Sequence, residues 1–367
     1  MNMHAVAIGS TLSDQQLREL IHNGVPIMRI CLAGRNLRNW DLSGVVFESV
    51  DFTGANLEGT RLDECLFSDC CFDDASLNEC YADSAFFNNC EMNNTQWRHA
   101  MLARGKWQKC NMKGARFDGS ILYESVLNAS KLDGASLVNA QAQEMSCVQC
   151  SADRTDFTGA DLFKATLMEM DLRTSILSGA KLVNVIWLQS DLRGQDLSGQ
   201  DLQRGVFTET RLDGCHLVGA NLRQAAFKSA GMRQTDLTGA QGQFAMFADA
   251  DLGQANCRGA RFPQSVFVDV LAEEADFADC DLSLCSWHRA VARNACFDRT
   301  YLDHTDFSYA DLFRASFVDA RMNRTRFHRA VTDDLNLKRR RGALENDPQL
   351  FEAELWSETQ RAALIEE

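Results

Sequence analysis

Residues 155–167 read TDFTGADLFKATL. Large apolar residues stand at Phe157, Leu162 and Leu167, and a small residue stands two places before each, at Thr155, Ala160 and Ala165. A spacing of five is produced neither by a 3.6-residue helix nor by a two-residue strand alternation. Followed outward in both directions, the register holds from Leu32 to Phe327 without a slip, one pentapeptide after another. The central position of each is Leu, Phe, Met or Trp; the only exceptions are Ala82, Ala142, Cys147, Ala152, Gly242, Cys257, Ala272 and Ala292. Two places earlier the residue is nearly always Ala, Ser, Thr, Cys, Val or Gly. The residue between these two is often Asp or Asn, as at Asp51, Asn56, Asp161 and Asp236. A repeat of this length decides the fold before any other feature is weighed.

The stretches DFTGANLEG, DFTGADLFKA, DLRGQDLSGQDL and TDLTGA resemble the pentapeptide-repeat family, whose pattern is A(D/N)LXX and which has many bacterial members. The likeness covers residues 30–330. It implies an all-β solenoid, a right-handed quadrilateral parallel β-helix in which four pentapeptides make one coil. The large central residues and their small partners then point inward and the other three positions outward. The sequence tests the four-sided reading independently, because positions one coil apart should share a side and therefore a character. The register 47, 67, 87 through 327 carries 12 aromatics in 15 positions, against 9 in 45 for the other three registers together. The expected architecture is about 15 coils, on the order of 70 Å of ladder at ~4.8 Å per strand. Its ends should be closed by short N- and C-terminal helical caps.

Three segments follow. Residues 1–29 are read as an N-terminal helical cap, 30–330 as the β-helix, and 331–367 as a connector with a C-terminal helix. In TLSDQQLRELIHNG, Ser13 and Gln16 form a capping box, Leu12 and Leu17 have staple spacing, and Gly24 suits a terminator. In NDPQLFEAELWSETQRAALIEE, Asp347 is placed to cap and Pro348 to open the helix, with Leu350, Phe351, Leu355 and Trp356 as its apolar side.

Composition narrows function. The chain has a net charge of −14, which argues against general nucleic-acid binding, since that needs basic surface to displace phosphate counterions. No apolar run is long enough to span a bilayer, and MNMHAVAIGS lacks the pattern of a secretory signal. Nine of the 14 cysteines, Cys65, Cys70, Cys80, Cys90, Cys110, Cys150, Cys215, Cys280 and Cys285, fall at the small inward position, and Cys147 and Cys257 at the large one. They read as core filling in a reducing cytoplasm. The CxxC at Cys147–Cys150 lacks the second pair that a structural zinc requires, so no metal is expected. The seven histidines are scattered, those within the repeat at outward positions, and no HExxH, GxSxG, GxGxxG or GxxxxGK(S/T) occurs. Neither catalytic residues nor a cofactor are expected, because a filled tube offers no cleft in which to gather acids, bases and substrate. The run KRRR at 338–341 reads as a solvated connector or a basic contact patch.

Function must then lie on the outer surface. The outward position before each large residue is mostly polar on three sides. On the aromatic side it carries Val46, Leu66, Phe86, Val126, Ile186, Val206, Met246 and Val266, widened by Met168 and Leu188. Contiguous apolar area of this kind marks contact with a second copy, another protein or the chain's own C-terminal helix. The leading expectation is a non-enzymatic scaffold or adaptor that binds proteins along its sides, with a role beside type VI secretion components suggested only by the family. A second reading, implied by likeness to the quinolone-resistance members of the family, is a DNA mimic that binds DNA gyrase. Residues 30–330 carry 40 acidic and 30 basic side chains, under one net charge per coil, whereas duplex DNA presents roughly three over the same length. A third reading is a secreted bacterial effector.

Overall fold

The computed structural model describes residues 12–337 and 341–365. The chain divides into two compact units, Met1–Asp191 and Leu192–Glu367, and each winds as a parallel β-solenoid with four pentapeptides to the coil. In the first unit, bridges join Cys31 to Asp51, Asn36 to Asn56 and Asp41 to Arg61, while strand β2 (Val46–Glu48) pairs with β3 (Leu66–Ser68). In the second, the equivalent set is Asp251 with Leu271, Asn256 with Asp276, Gln241 with Arg261 and Met246 with Val266. Four pairings per coil define four sides. The ladder is two-way: Leu32 N–H donates to Asp51 O at 2.7 Å, and Asp51 N–H donates back to Ile30 O at 3.1 Å.

The five-residue grammar has a physical cause at each place. The large residues stack on their equivalents one coil away. Phe207, Phe227 and Phe247 lie 4.8 and 5.0 Å apart with rings 10° and 6° from parallel. The small inward residues sit where a turn closes, and hydroxyls or thiols there reach a carbonyl of the preceding coil, as Thr60 does to Leu37 O (2.8 Å) and Cys65 to Leu42 O (2.9 Å). The Asp or Asn before the large residue accepts the N–H two places ahead, for example Thr53 N–H to Asp51 Oδ1 at 2.9 Å and Ala278 N–H to Asp276 Oδ1 at 2.9 Å. That N–H sits at a corner, beyond the reach of the ladder. The corner residue itself has positive φ. Glycine supplies it at Gly159 (66°), yet Glu64 (59°), Arg104 (56°) and Tyr309 (62°) hold the same conformation, at a cost of roughly 1–2 kcal/mol for an L-residue that the stacked ladder outweighs.

One side of the first unit differs from the rest. Strands β1 (Ile27–Met28), β2, β3, β4 (Phe86–Asn88), β5 (Lys106–Gln108), β6 (Val126–Asn128), β7 (Ser146–Val148) and β8 (Thr166–Met168) form an eight-stranded parallel sheet in chain order. In the second unit that side holds isolated bridges, and its corners close by turn bonds such as Ala230 N–H to Phe227 O (3.1 Å) and Ala250 N–H to Phe247 O (3.0 Å). The residue following the side explains the change. In the first unit it is Cys70, Cys90, Cys110, Ser130 and Cys150, whose side chains offer an acceptor to the N–H one coil earlier: Cys110 N–H donates to Ser130 Oγ at 3.0 Å, and Ser130 N–H points at the Cys150 thiol. With that N–H satisfied sideways the chain stays extended. Ala230, Ala250, Ala290 and Ala310 of the second unit offer no acceptor, and the turn closes there. The cysteines therefore do more than fill space.

The ends are closed by identifiable devices. Helix α1 (Asp14–His22) carries the Ser13–Gln16 capping box, with bonds of 2.9 and 3.2 Å, and buries Leu17. Arg18 stacks on Trp40 at 3.8 Å, and Arg35 bonds Leu12 O, so the large residues at the first coil's small positions serve the cap. In later coils the N–H at the place of Pro26 donates to a carbonyl of the coil before, as Leu66 does to Val45 O at 3.1 Å. The first coil has no predecessor, and proline has no donor to strand. At the other end the ladder runs on to Asn336, which bridges Ser316. Strand β9 (Thr325–Arg326) then pairs with β10 (Ala343–Leu344), Thr325 opposite Ala343 and Arg326 opposite Leu344, so this last offset falls short of a full coil. Gly342 (φ +90°) makes this possible, since a Cβ there would overlap the Met322 carbonyl. Helix α2 (Pro348–Ile365), about 27 Å long, is capped by Asp347 Oδ1, which accepts Leu350 N–H at 3.0 Å. His4, Lys338, Arg339 and Arg340 lie outside the described residues.

Gly242 occupies a large inward position, and the Phe262 ring fills the space its side chain would need, meeting any added Cβ. Restoring the repeat with Gly242→Leu is therefore expected to destabilise the protein, by about 1–3 kcal/mol of overpacking. A denaturation midpoint that rises or stays unchanged would contradict the coil-to-coil volume match.

Candidate interaction surface

Every residue of the expected apolar side lies on the outer face of its coil. In the first unit Val46 and Leu66 (44% exposed) are open, while Phe86, Val126, Met168, Ile186 and Leu188 are half-buried. In the second, Met246 is 48% exposed and Val206 and Val266 are half-buried. Within the first unit, Val46, Leu66 and Phe86 are consecutive rungs of the sheet, followed by Lys106 and then Val126. Between the rungs lies a depression of about 610 Å³ lined by Leu66, Ser84, Phe86, Arg104, Lys106 and Glu124.

The adjoining side, expected to be polar, is not so locally. Tyr81, Met101 and Ile121 bridge one another in successive coils, and the first two are exposed, with Tyr123 beside them. Apolar surface thus turns the corner from Leu66 and Phe86. The column rule that exposed the aromatic side in the sequence finds this run as well, applied to the register 81, 101, 121.

The charged surface alternates in sign. Arg289 lies 2.6 Å from Asp269, Arg293 2.6 Å from Asp311 and Arg299 2.7 Å from Asp279. The guanidiniums of Arg289 and Arg299 hold the Asp269 and Asp279 carboxyls below the usual carboxylate range. Rows of paired opposite charge lack the unbroken anionic edge of a nucleic-acid duplex. Burial pushes the Cys65 and Cys285 thiols up to about 12 and Cys280 upward as well, so none of these three forms a thiolate nucleophile or ligand at neutral pH. Among the described residues, no group of three or more His, Cys, Asp or Glu side chains is arranged to hold a metal ion, and no helix is long and apolar enough to cross a membrane.

His328 corrects a sequence expectation. It is outward from its coil, as read, but only 4% exposed, because α2 covers it. Its Nε2 lies 3.1 Å from Glu354 Oε2, and its Nδ1 accepts Asp347 N–H at 3.2 Å. Glu354 also accepts from the Tyr309 hydroxyl and from Arg329 (3.3 Å), and Arg329 lies over the Phe351 ring. One carboxylate thus fastens the helix to two neighbouring coils. The helix docks beside the later rungs of the aromatic side, where Asp306 and Arg326 replace apolar residues. Leu350 and Trp356 (68% exposed) are left in solvent.

A filled solenoid of four-sided coils, with rows of side chains outside, is a repeat-protein architecture. The family model for pentapeptide repeats matches eight copies over residues 31–69, 110–144, 146–179, 206–240 and 273–308, and the chain belongs to that family. Among solved structures it is similar to trypsin-treated QnrB1, a plasmid-mediated fluoroquinolone resistance protein, at 18% identity over 49% of this chain and 90% of that one, with a TM-score of 0.35. It is also similar to HetL, a protein involved in heterocyst differentiation regulation from the cyanobacterium Nostoc sp. strain PCC 7120, at 19% identity over 92% and 98%, TM-score 0.21. A third is Rfr23 from the cyanobacterium Cyanothece 51142, at 15% identity over 38% and 96%, TM-score 0.24. No curated protein matches the sequence.

The Tyr309 hydroxyl, with His328 and Arg329, lowers the Glu354 carboxyl from its ordinary 4.5. A lowered native value means that the docking contribution is present above the ordinary value and is lost as pH falls through the native one. Protection of the α2 amides, measured against their intrinsic exchange rate at each pH, is expected to fall on acidification through that range while the solenoid amides stay protected. Glu354→Gln should show faster α2 exchange already at neutral pH; identical exchange in both proteins would contradict the clasp.

Proposed function

We propose that this protein is a non-enzymatic scaffold that binds other proteins along the outside of its coils, in a reducing, cytoplasmic setting. The contact surface is the aromatic-cored side: Val46, Leu66, Phe86, Val126, Met168, Ile186 and Leu188 in the first unit, and Val206, Met246 and Val266 in the second. The observation that carries this reading is a run of successive apolar rungs, Val46 and Leu66 exposed and Phe86 half-buried, on a sheet whose interior is filled. Burial of such rungs against a partner removes apolar area at about 25 cal/mol per Å², with little ordering cost because the sheet is already fixed. The free state of all 14 cysteines supports the compartment.

Leu66→Lys combined with Phe86→Lys should abolish partner cross-linking from a photoreactive residue placed at position 46. The Leu66 substitution, at an exposed position, should cost no more than about 0.5 kcal/mol of stability and the one at half-buried Phe86 about 1 kcal/mol, so the variant stays folded. Cross-links retained at the wild-type level would contradict the assignment. The alternating charge rows lead to a second expectation, that gyrase supercoiling proceeds at the same rate with and without the protein; inhibition would instead favour DNA mimicry.

A further inference from the structure

We propose that the corner where His304, Arg324 and Arg326 meet strand β10 is a receptor for an acidic peptide, one that carries a carboxylate side chain next to an aliphatic one. The site is a cavity of about 360 Å³ lined by Leu284, His304, Asp306, Arg324, Arg326 and Leu344, among others. It belongs wholly to the second unit. His304 and Arg324 are corner residues of adjacent coils (φ 57° and 55°), so their side chains leave the same edge one rung apart. The shortened offset of β10 brings Leu344 opposite Arg326 and gives the cavity its far wall.

Charge selects the ligand. Four other arginines of this unit, Arg289, Arg293, Arg299 and Arg258, have an aspartate within 2.6–2.9 Å, and Arg233 and Arg314 have one at 3.2 and 3.4 Å. Arg324 has His304 in the equivalent place one coil back and forms no ion pair among the described residues. Arg326 has only Asp306, at 3.8 Å, and that carboxylate already accepts Ser308 N–H at 2.9 Å. Two guanidiniums therefore open into one cavity with most of their donors unused, a geometry suited to a carboxylate. On a chain of net charge −14, an acidic ligand is repelled elsewhere and drawn here.

The walls select a peptide over a bare anion. Leu284 is 55% and Leu344 45% exposed, so an aliphatic side chain beside the carboxylate gains burial. Strand β10 pairs only with β9, and Ala343, whose N–H and C=O alternate away from β9, makes no backbone hydrogen bond on that edge among the described residues. An extended peptide can add there as a further strand while its side chains enter the cavity. This inference rests on the scaffold reading in taking the partner to be a protein, and it uses none of the apolar rungs.

The test is an anisotropy titration of the full chain, at low salt, with a fluorescein-labelled peptide alternating Leu and Glu. The parallel arms use its Leu and Gln counterpart, its Ala and Glu counterpart, and inorganic phosphate as competitor. The Glu peptide should bind at least tenfold tighter than the Gln and Ala versions, and raised salt should weaken it. Phosphate should compete only weakly; displacement by phosphate as effective as by unlabelled peptide would overturn the peptide assignment. Arg324→Gln with Arg326→Gln should weaken binding at least tenfold; Arg324→Gln alone, which breaks no ion pair, serves if the double variant fails to fold. Equal binding of the Glu and Gln peptides, wild-type binding by the Arg324→Gln variant, or equal binding of the Ala and Leu versions would overturn the proposal. Leu66→Lys should leave peptide binding intact, so loss of the scaffold's partner in that variant separates a failure of one reading from a failure of the other.

Discussion

Each coil is held by backbone hydrogen bonds to the coils before and after it, and everything else in the protein depends on that ladder staying in register. Leu222 N–H to Gln241 O and Gln241 N–H to Ala220 O, at 2.6 and 2.9 Å, are one rung of it. Because the rungs are parallel and in register, a side chain meets its own equivalent above and below. Aromatic residues then stack face to face along one side and edge to face around the corner, as Phe67 does with Phe47 (5.0 Å) and with Phe72 (5.2 Å). A mismatch in one coil is absorbed only by its neighbours, as Phe262 absorbs the missing side chain at Gly242, while within a coil Gly105 makes room for the Trp107 ring.

The ladder also forces the corners. Nearly every pentapeptide turns through a residue of positive φ, Thr174 being an exception, and the chain supplies these with Asn, Glu, Arg and Gln as well as with glycine. The strain at any one corner is small beside the stack it belongs to, and non-glycine corners put charged side chains on the outside in columns. Where the columns alternate Arg and Asp they neutralise each other; where they do not, as at His304 and Arg324, the surface keeps an unspent charge.

The period of five, the four-sided coil and the aromatic side were legible because they are one-dimensional: spacing alone carries them. The caps were legible for the same reason, Ser13 with Gln16 and Asp347 with Pro348 being local signals. What spacing could not carry was any distinction within a slot. Cysteine and alanine both satisfy the small position, yet only the Cys/Ser column of the first unit offers an acceptor that leaves the side extended. His328 reads as a surface residue because its burial depends on where α2 lands. The basic cavity was invisible because β10 arrives out of register, and a shortened offset has no signature in a pattern of whole coils. Tyr81, Met101 and Ile121 were within reach of the column rule and needed only its application to the neighbouring side.

The whole coil, and not the pentapeptide, is the unit of this fold. Excising residues 227–246 removes one complete coil and leaves every later residue on its original side. Excising 227–236 keeps the pentapeptide period but moves every later residue to the opposite side of the tube, which places the aromatic column beside leucines and small residues. The whole-coil deletion should melt cooperatively near the parent, and the half-coil deletion should melt far below it or fail to fold. Equal melting of the two would contradict the whole coil as the unit.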